Sequence, residues 1–437
     1  MRAAAARARL VPLDRVDRLM ARAAWVKARE VATGLLGMTT LTPPERARCH
    51  AVIAEVCSRE KTKPENFRDP HRYVACLARA AAHWTEAYRL APTPQVTADL
   101  AQHLWPFGDF PRQLALTEEA LRGDPGNALW RTQRAEMLLV LGRWSEGFAE
   151  YEQRLLLPGF KTSVGLTAEI HSPVWDGSDL AGRSILVLQE GGYGDTLQMI
   201  RYARGLKDRF HAGQVIAQVV GPLVNLLKGM PELDSVVSVP EVPVADCHIP
   251  MMSLPHRFGT TVETPWAPYL DVPARTHPPL RVGLVWHGST HNPGDMTRSI
   301  LPSGTLVYPD LRTLVLSDLP VEWVCLQLGD ARQIVANLPW GRKLQYPELA
   351  PEWTLARDVL ATLDLVIGVE TGIAHLSAAM GIPTWLLLGV SPAWRWLARG
   401  DRSPWYPSVR LFRARKLWDW SEPFAAVGKE LQREVSP

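Results

Sequence analysis

Three stretches of this sequence place polar, chemically capable residues directly after apolar runs. The first is Gly191-Gly-Tyr-Gly-Asp195, which follows Ser184-Ile-Leu-Val-Leu-Gln189 and leads into a helical pattern. Glycines allow a tight turn, and the turn presents Asp195 where a strand hands over to a helix, the edge at which α/β folds bind ligands. A carboxylate in that place can serve as a general base; the plainer alternative is a helix cap. Gly192-Tyr-Gly194 lacks the third glycine of a dinucleotide-binding turn, because residue 197 is leucine, so a nicotinamide cofactor is poorly supported.

The second stretch is Gly368-Val-Glu-Thr-Gly-Ile-Ala-His-Leu376, after the apolar run from Asp364. Thr371 is placed to cap a helix, Gly372 to let a ligand approach the backbone, and Gly381 with Pro383 to end that helix. The first-turn N–H groups of a helix have no partner within it, and with the helix dipole they make an anion site suited to a diphosphate. His375, one turn in, can add a proton or a hydrogen bond to the same phosphates; a capped helix with a core histidine is the alternative.

The third stretch is the polar loop Trp286-His-Gly-Ser-Thr-His-Asn-Pro-Gly-Asp-Met-Thr-Arg-Ser299. Arg298 in it is the residue type for bidentate phosphate contacts, or else a surface charge. The dense aromatic residues of Trp394-Arg-Trp396 and Trp405-Tyr-Pro407 can stack on a base or sugar, although wide aromatics more often anchor a core.

The elements that must position these groups differ between the two halves of the chain. Residues 1 to about 158 are rich in alanine, leucine and arginine and read as helices divided by turns such as Thr42-Pro-Pro44 and Pro92-Thr-Pro94. From about residue 183, short β-branched runs alternate with helical stretches, the texture of parallel β-α units. Strands are expected at Ser184–Gln189, Gln214–Val220, Ser235–Val239, Arg281–Trp286, Val321–Leu328, Leu363–Val369 and Thr384–Leu388, and a strand entering a loop at Asp246–Leu254. Single helices are expected over Thr196–Lys207, Trp353–Thr362 and Thr371–Met380. Five prolines between Pro265 and Pro279 mark a linker between two Rossmann-like units. The expected domains are a helical region 1–90, helical repeats 91–160, a first Rossmann-like domain 161–272 and a second at 273–437.

The helical half carries a repeat. Gly108 and Gly142 are 34 residues apart, and the register holds for Leu104 with Leu138, Phe110 with Trp144, and Leu114 with Phe148. That period, with glycine then an aromatic at the turn, resembles the tetratricopeptide repeat. The small residue of the second helix is Gln113 in one unit and Gly147 in the other.

Bulk composition excludes several classes. The chain has 437 residues, a formal charge of +3, 46% hydrophobic and 21% charged residues, which describes an ordinary globular protein without a nucleic-acid partner. Basic residues crowd the first thirty positions, as expected of a solvated helix face. None of the five cysteines forms a CxxC pair and no HExxH spacing occurs, so neither a disulfide framework nor a structural zinc site is expected. Free thiols fit a reducing cytoplasm. No apolar run approaches the roughly 20 residues of a membrane span, and the start lacks the apolar stretch of a secretory signal.

Taken in order, the pieces resemble bacterial tetratricopeptide-repeat proteins with a C-terminal glycosyltransferase domain of the ADP-heptose:lipopolysaccharide heptosyltransferase type. The stretches that carry the resemblance are Leu188-Gln-Glu-Gly-Gly-Tyr-Gly-Asp-Thr-Leu-Gln198 with Arg201-Tyr202, Ser253-Leu-Pro255, Val282-Gly-Leu-Val-Trp-His-Gly288 with Arg298-Ser-Ile300, Asp364 to Leu376, Trp394-Arg-Trp-Leu397, Ser403-Pro-Trp-Tyr-Pro407 and Arg410-Leu-Phe-Arg413.

The resemblance implies an α/β GT-B fold, two facing Rossmann-like domains, behind an all-α arm. It implies a nucleotide sugar as donor, a glycan, lipid-linked or protein acceptor, and no cofactor or metal. It implies Asp195 as catalytic base, with Gly192 and Gly194 shaping the acceptor-side loop. Donor contacts would come from His287, Gly288, Ser289, Arg298, Gln327, Glu370, Thr371, Gly372 and His375. The helical repeats would dock an acceptor or a protein partner, in the cytoplasm or on the inner face of the cytoplasmic membrane. The chain departs from the family at Glu370, where Asp-Thr is the commoner pair. A non-catalytic scaffold and a sugar-nucleotide epimerase of the same fold are the alternative functions.

Overall fold

The structure is a computed structural model that describes residues 13–60, 70–160, 170–270, 280–288 and 308–435. The chain divides into two compact units, with the described boundary between Met137 and Leu138.

The first unit is helical. Helices α1 (Trp25–Leu36), α2 (Pro43–Glu60) and α3 (Pro70–Leu90) are followed by α4 (Pro94–Leu104), α5 (Phe110–Gly123) and the start of α6 (Ala128–Val140). Val16, Ala28, Ala32, Val52 and Ile53 form one buried cluster, and Trp84, Leu100, Leu104 and Leu116 another. Thr93 caps α4 by accepting from Val96 N–H, and Pro94 at its first position needs no amide partner there. Helices α4 and α6 begin 34 residues apart, and so do α5 and α7 (Trp144–Tyr151). Gly108 and Gly142 both adopt positive φ, 73° and 84°, in the turns before α5 and α7, which is why glycine recurs at that spacing. A Cβ on Gly147 would lie 2.7 Å from Leu139, whereas Gln113 is accommodated and buried in the earlier helix.

The second unit holds two all-parallel sheets. Strands β1 (Ser184–Leu188), β2 (Gln214–Val219), β3 (Ser235–Ser238) and β4 (Cys247–Pro250) form a sheet in the order β3-β2-β1-β4. Strands β5 (Leu280–Val285), β6 (Val321–Cys325), β7 (Leu344–Gln345), β8 (Leu365–Gly368), β9 (Thr384–Leu388) and β10 (Val409–Arg413) form the second, in the order β10-β9-β8-β5-β6-β7. The interior strands are unbroken apolar runs because helices cover both faces of a parallel sheet. All eight expected strands are present, with no end more than four residues from its expected place, and β7 and β10 are additional.

One expected helix is broken. Thr196–Lys207 is not continuous: α8 (Tyr193–Met199) ends and α9 (Tyr202–Asp208) begins anew. Two side chains take the carbonyls that would have continued it. The Tyr269 hydroxyl donates to Leu197 O, and Arg201 Nε donates to Gln198 O at 2.8 Å. Later elements used below are α10 (Trp353–Leu360), α11 (Gly372–Ala379) and α12 (Ser421–Glu434). Among the described residues no helix is long and apolar enough to cross a membrane. The cysteines are all buried and unbridged.

Candidate active site

The turn after β1 is organised by the side chain that seemed able to do chemistry. Asp195 is not the cap residue itself. It occupies the third position of α8, and its Oδ2 accepts from Gly192 N–H at 2.7 Å, which satisfies one first-turn donor. Gly191 has φ of 76°, and a Cβ there would lie 2.3 Å from the Asp195 carboxylate. Asp195 Oδ1 pairs with the guanidinium of Arg395, which also donates through Nε to Gln198 Oε1 at 2.7 Å. Arg395 comes from the segment after β9, so this ion pair crosses between the two sheets' domains. Both carboxylate oxygens are thereby engaged.

The turn after β8 faces it. Thr371 is extended and its Oγ1 accepts from Ala374 N–H, so it caps α11 as expected. Glu370 Oε2 accepts from Ala393 N–H at 3.0 Å, which ties this turn to the segment carrying Arg395. His375 is buried, its Nδ1 lies 2.9 Å from the Tyr406 hydroxyl, and its ring packs on Trp396. Burial, reinforced by the nearby Arg201 charge, lowers its pKa to about 3. At neutral pH the ring is uncharged, so the expectation that it could supply a proton to a phosphate does not fit; a neutral hydrogen bond remains available to it.

The glycines mark where the turns meet. A Cβ on Gly194 would stand 2.7 Å from the His375 ring. A Cβ on Gly372 would stand 2.5 Å from the Trp353 indole and 3.2 Å from Tyr193. Tyr193 and Trp353 are themselves in ring contact at 5.0 Å. A pair of aromatic side chains thus packs close to the Gly372 backbone. Asn225 donates to Glu352 at 3.2 Å farther along the same seam.

The turn after β5 adjoins that after β8, since Val369 N–H donates to Val285 O at 3.0 Å. Gln327 holds it. Its Oε1 accepts from Trp286 N–H at 3.0 Å and His287 N–H at 2.9 Å, and its Nε2 donates to His287 O at 3.0 Å and Leu328 O at 3.1 Å. The buried amide is fully occupied by backbone, so Gln327 shapes the loop at His287 and Gly288 and has no donor or acceptor to spare for a substrate. Ser289 and Arg298 lie outside the described residues.

Several contributors were missed in the sequence. Arg395, Gln198 and Tyr406 stand inside the quoted motifs, but nothing in the sequence assigns them a partner. Trp394, Trp396, Trp405 and Tyr406 are all buried, so core packing is their role. Arg201 is buried among Trp266, Tyr269, Trp405 and Tyr406 and donates to Trp405 O at 2.7 Å. Arg413 donates to the carbonyls of Trp396, Leu397, Arg399 and Gly400, at 2.6 to 3.3 Å, and so fixes the segment bearing Arg395. Burial depresses its pKa to about 10, against the raising influence of Glu370 and Asp401. Two cavities, of about 550 and 460 Å³, lie elsewhere: one at Arg281, Gln345 and Thr362, the other between α12 and the helix Pro309–Val315. Among the described residues no group of three or more His, Cys, Asp or Glu is placed to hold a metal ion.

A parallel α/β architecture with two strand-to-helix turns facing one another defines the class of site. Residues 323–422 match the model of glycosyltransferase family 9 (heptosyltransferase), a stretch that contains β8, α11, Glu370, His375 and Arg395. The chain is 25% identical over 406 residues to Protein FlbA of Caulobacter vibrioides, covering 82% of this chain and 65% of that protein. Among solved structures, it resembles the ADP-heptose lps heptosyltransferase II of E. coli at 14% identity, over 58% of this chain and 100% of that one, with a TM-score of 0.41. It also resembles an O-GlcNAc transferase of Thermobaculum terrenum at 12% identity, over 97% of this chain and 92% of that one, with a TM-score of 0.30. Structural overlaps this loose carry no weight for activity.

Proposed function

We propose that this chain is a glycosyltransferase of GT-B architecture that moves a sugar from a nucleotide-sugar donor to a hydroxyl of a glycan, lipid-linked glycan or protein. The observation that carries this reading is the seam where the Asp195 turn meets the Thr371–His375 turn, in a region whose second half matches a glycosyltransferase family. Asp195 takes the proton of the acceptor hydroxyl as that oxygen attacks the anomeric carbon. The bond from that carbon to the diphosphate oxygen breaks, the nucleoside diphosphate leaves with the electron pair, and the sugar's configuration inverts.

The leaving group gathers negative charge. The first-turn amides and dipole of α11 are suited to it, and Arg298 would add a guanidinium. His375 meets the donor as a neutral hydrogen-bonding group. Arg395 must release Asp195 Oδ1 as the acceptor enters, because a carboxylate held by arginine is a weakened base. The reaction so drawn runs on the chain's own groups, without a metal. The helical first unit is a docking arm of tetratricopeptide type for an acceptor or a partner protein, and the reaction belongs in the cytoplasm, where nucleotide sugars are made.

The test has two parts. A thermal-shift screen with ADP, UDP, GDP and CMP and their common sugar conjugates should find one nucleotide that stabilises the protein by about 2.7 kcal/mol at ~100-fold excess over its Kd. With that donor, Asp195→Asn should lower kcat by about 10²- to 10⁴-fold while the nucleotide shift persists. Transfer that is equally fast in Asp195→Asn removes the base assignment. Conversion of the donor sugar with no acceptor present would replace transfer by epimerisation.

A further inference from the structure

The loop that presents Asp195 is held from outside the two sheets. The turn Glu152–Leu156 that follows α7 precedes β1 in the chain, yet its Arg154 is buried against the start of that loop. Arg154 Nε donates to Glu190 Oε1 at 2.6 Å and Nη2 to Glu190 Oε2 at 2.9 Å, a bidentate pair. Nη2 also donates to Ser253 Oγ at 2.9 Å, and Nη1 to Tyr151 O at 3.1 Å and Glu152 Oε1 at 2.9 Å. A guanidinium has five N–H donors, and all five are used.

The acceptors are informative. Glu190 is buried and directly precedes Gly191, whose positive φ begins the turn that Asp195 closes through Gly192 N–H. Ser253 lies just beyond β4, which pairs with β1. One side chain thus ties the exits of two adjacent strands and fixes the first residue of the loop whose last residue is the carboxylate.

The same helix reaches the opposite turn's support. Trp144 stacks on Trp405 at 4.7 Å, and Phe148 meets Trp394 edge-on at 5.5 Å, one residue from Arg395. Helix α7 and the turn that follows it therefore touch, between them, both the loop that supplies Asp195 and the segment that supplies its arginine partner.

We infer that Arg154 is a positioning residue: through Glu190 it sets the place of the Asp195 carboxylate, and α7, although it belongs to the repeat pattern in sequence, is part of the frame of the site. This rests on the transferase reading for its catalytic consequence, but the structural half stands apart from it. A buried fork of this kind leaves an uncompensated charge when one partner is removed, so stability alone is a poor readout.

The test uses the full chain with Arg154→Met, Arg154→Lys and the double variant R154M/E190Q. In Arg154→Met, amide exchange of peptides spanning residues 190–196 should rise about tenfold or more, while peptides spanning 365–390 keep their protection. With a donor identified by the screen above, kcat should fall about 10- to 100-fold, with donor KM and nucleotide-induced shift unchanged. The double variant leaves no unpaired buried carboxylate, so it should recover thermal stability but not kcat. Arg154→Lys keeps the charge, folds if Arg154→Met does not, and should show the same local effect in weaker form. Unchanged exchange at 190–196, exchange raised equally throughout the second unit, or kcat restored together with stability would each overturn the inference. Should the unmodified protein turn over no nucleotide sugar, the transferase reading fails and the exchange result still decides the positioning role.

Discussion

The turn after β1 and the turn after β8 run alike from a buried parallel strand through glycine into a short helix, yet they are held by different forces. The first is a chain of charges: Arg154 on Glu190, then Asp195 on Arg395. The second is held at its helix by neutral contacts, a threonine cap and a histidine on a tyrosine hydroxyl, while its charged groups Glu370 and Arg413 bind backbone of the segment that follows β9. Charged pairs in low dielectric are strongly directional and costly to break, which suits a loop that must hold one carboxylate in one place. Neutral contacts at the cap leave the helix N-terminus a strong local field there, which suits a site whose own ligand brings the charge. The two turns teach that similar backbone geometry can be tuned for opposite tasks by what lies one layer behind it.

The largest effect that would sharpen the comparison is on acid stability. The folded pKa of His375 is lowered to about 3 from an ordinary 6.5. Between those values the unfolded chain binds a proton that the folded chain does not, so stability is full above about pH 6.5 and is lost as pH falls toward 3. The slope is about 1.36 kcal/mol per pH unit, or about 2 kcal/mol between pH 6.5 and 5. His375→Gln keeps a hydrogen-bonding group on Tyr406 and should remove that slope. Denaturant melts of the two proteins at pH 7 and pH 5 measure it. An unchanged pH 5 loss in His375→Gln would mean that the ring is not buried in its neutral form.

A second effect, of similar size, separates the glycines. Gly194→Ala pushes into a ring wedged by Trp396 and Tyr406, while Gly372→Ala pushes into Trp353 at the rim of the seam. Overpacking of this kind costs about 1–3 kcal/mol, and Gly194→Ala should lie at the upper end because its neighbours cannot yield. Trp353→Leu should recover most of the Gly372→Ala loss by removing the indole edge. Thermal melts of the three variants and the double variant decide it. If Trp353→Leu rescues nothing, the close approach at Gly372 is not what requires glycine.

Much of the fold was legible because it is local. Continuous apolar runs such as Ile185–Leu188 and Leu365–Ile367 can only be interior parallel strands when helical stretches lie between them. Thr371 as cap and Gly108 with Gly142 at the turns were readable for the same reason: a backbone conformation restricts the residue types. The break in the helix at Ile200 was not, because Tyr269 takes the Leu197 carbonyl from 72 residues away. The site was legible only by half. Asp195, Gly194, Gly372 and His375 are indeed brought together, yet Arg395 reaches Asp195 across 200 residues and Arg154 reaches Glu190 across 36. Gln327 shows the opposite error: a polar residue at a strand's end looked like a ligand group, and its four hydrogen bonds go to backbone.

The smallest effect concerns the one residue that departs from the resemblance. Glu370 Oε2 accepts from Ala393 N–H, and its charge acts on Arg413, so its carboxylate supports the segment carrying Arg395. Aspartate is one methylene shorter and cannot span the same gap without moving backbone. If Glu370 serves that segment, Glu370→Asp should lose one charge-assisted hydrogen bond, about 1.5 kcal/mol or less in stability, and should lower kcat by a few fold through Arg395 with little change in donor KM. If Glu370 instead touches the sugar, the same substitution should change the ranking of donors and leave the melting temperature alone. Melting and donor competition measured on one variant thus assign the side chain to the frame or to the substrate.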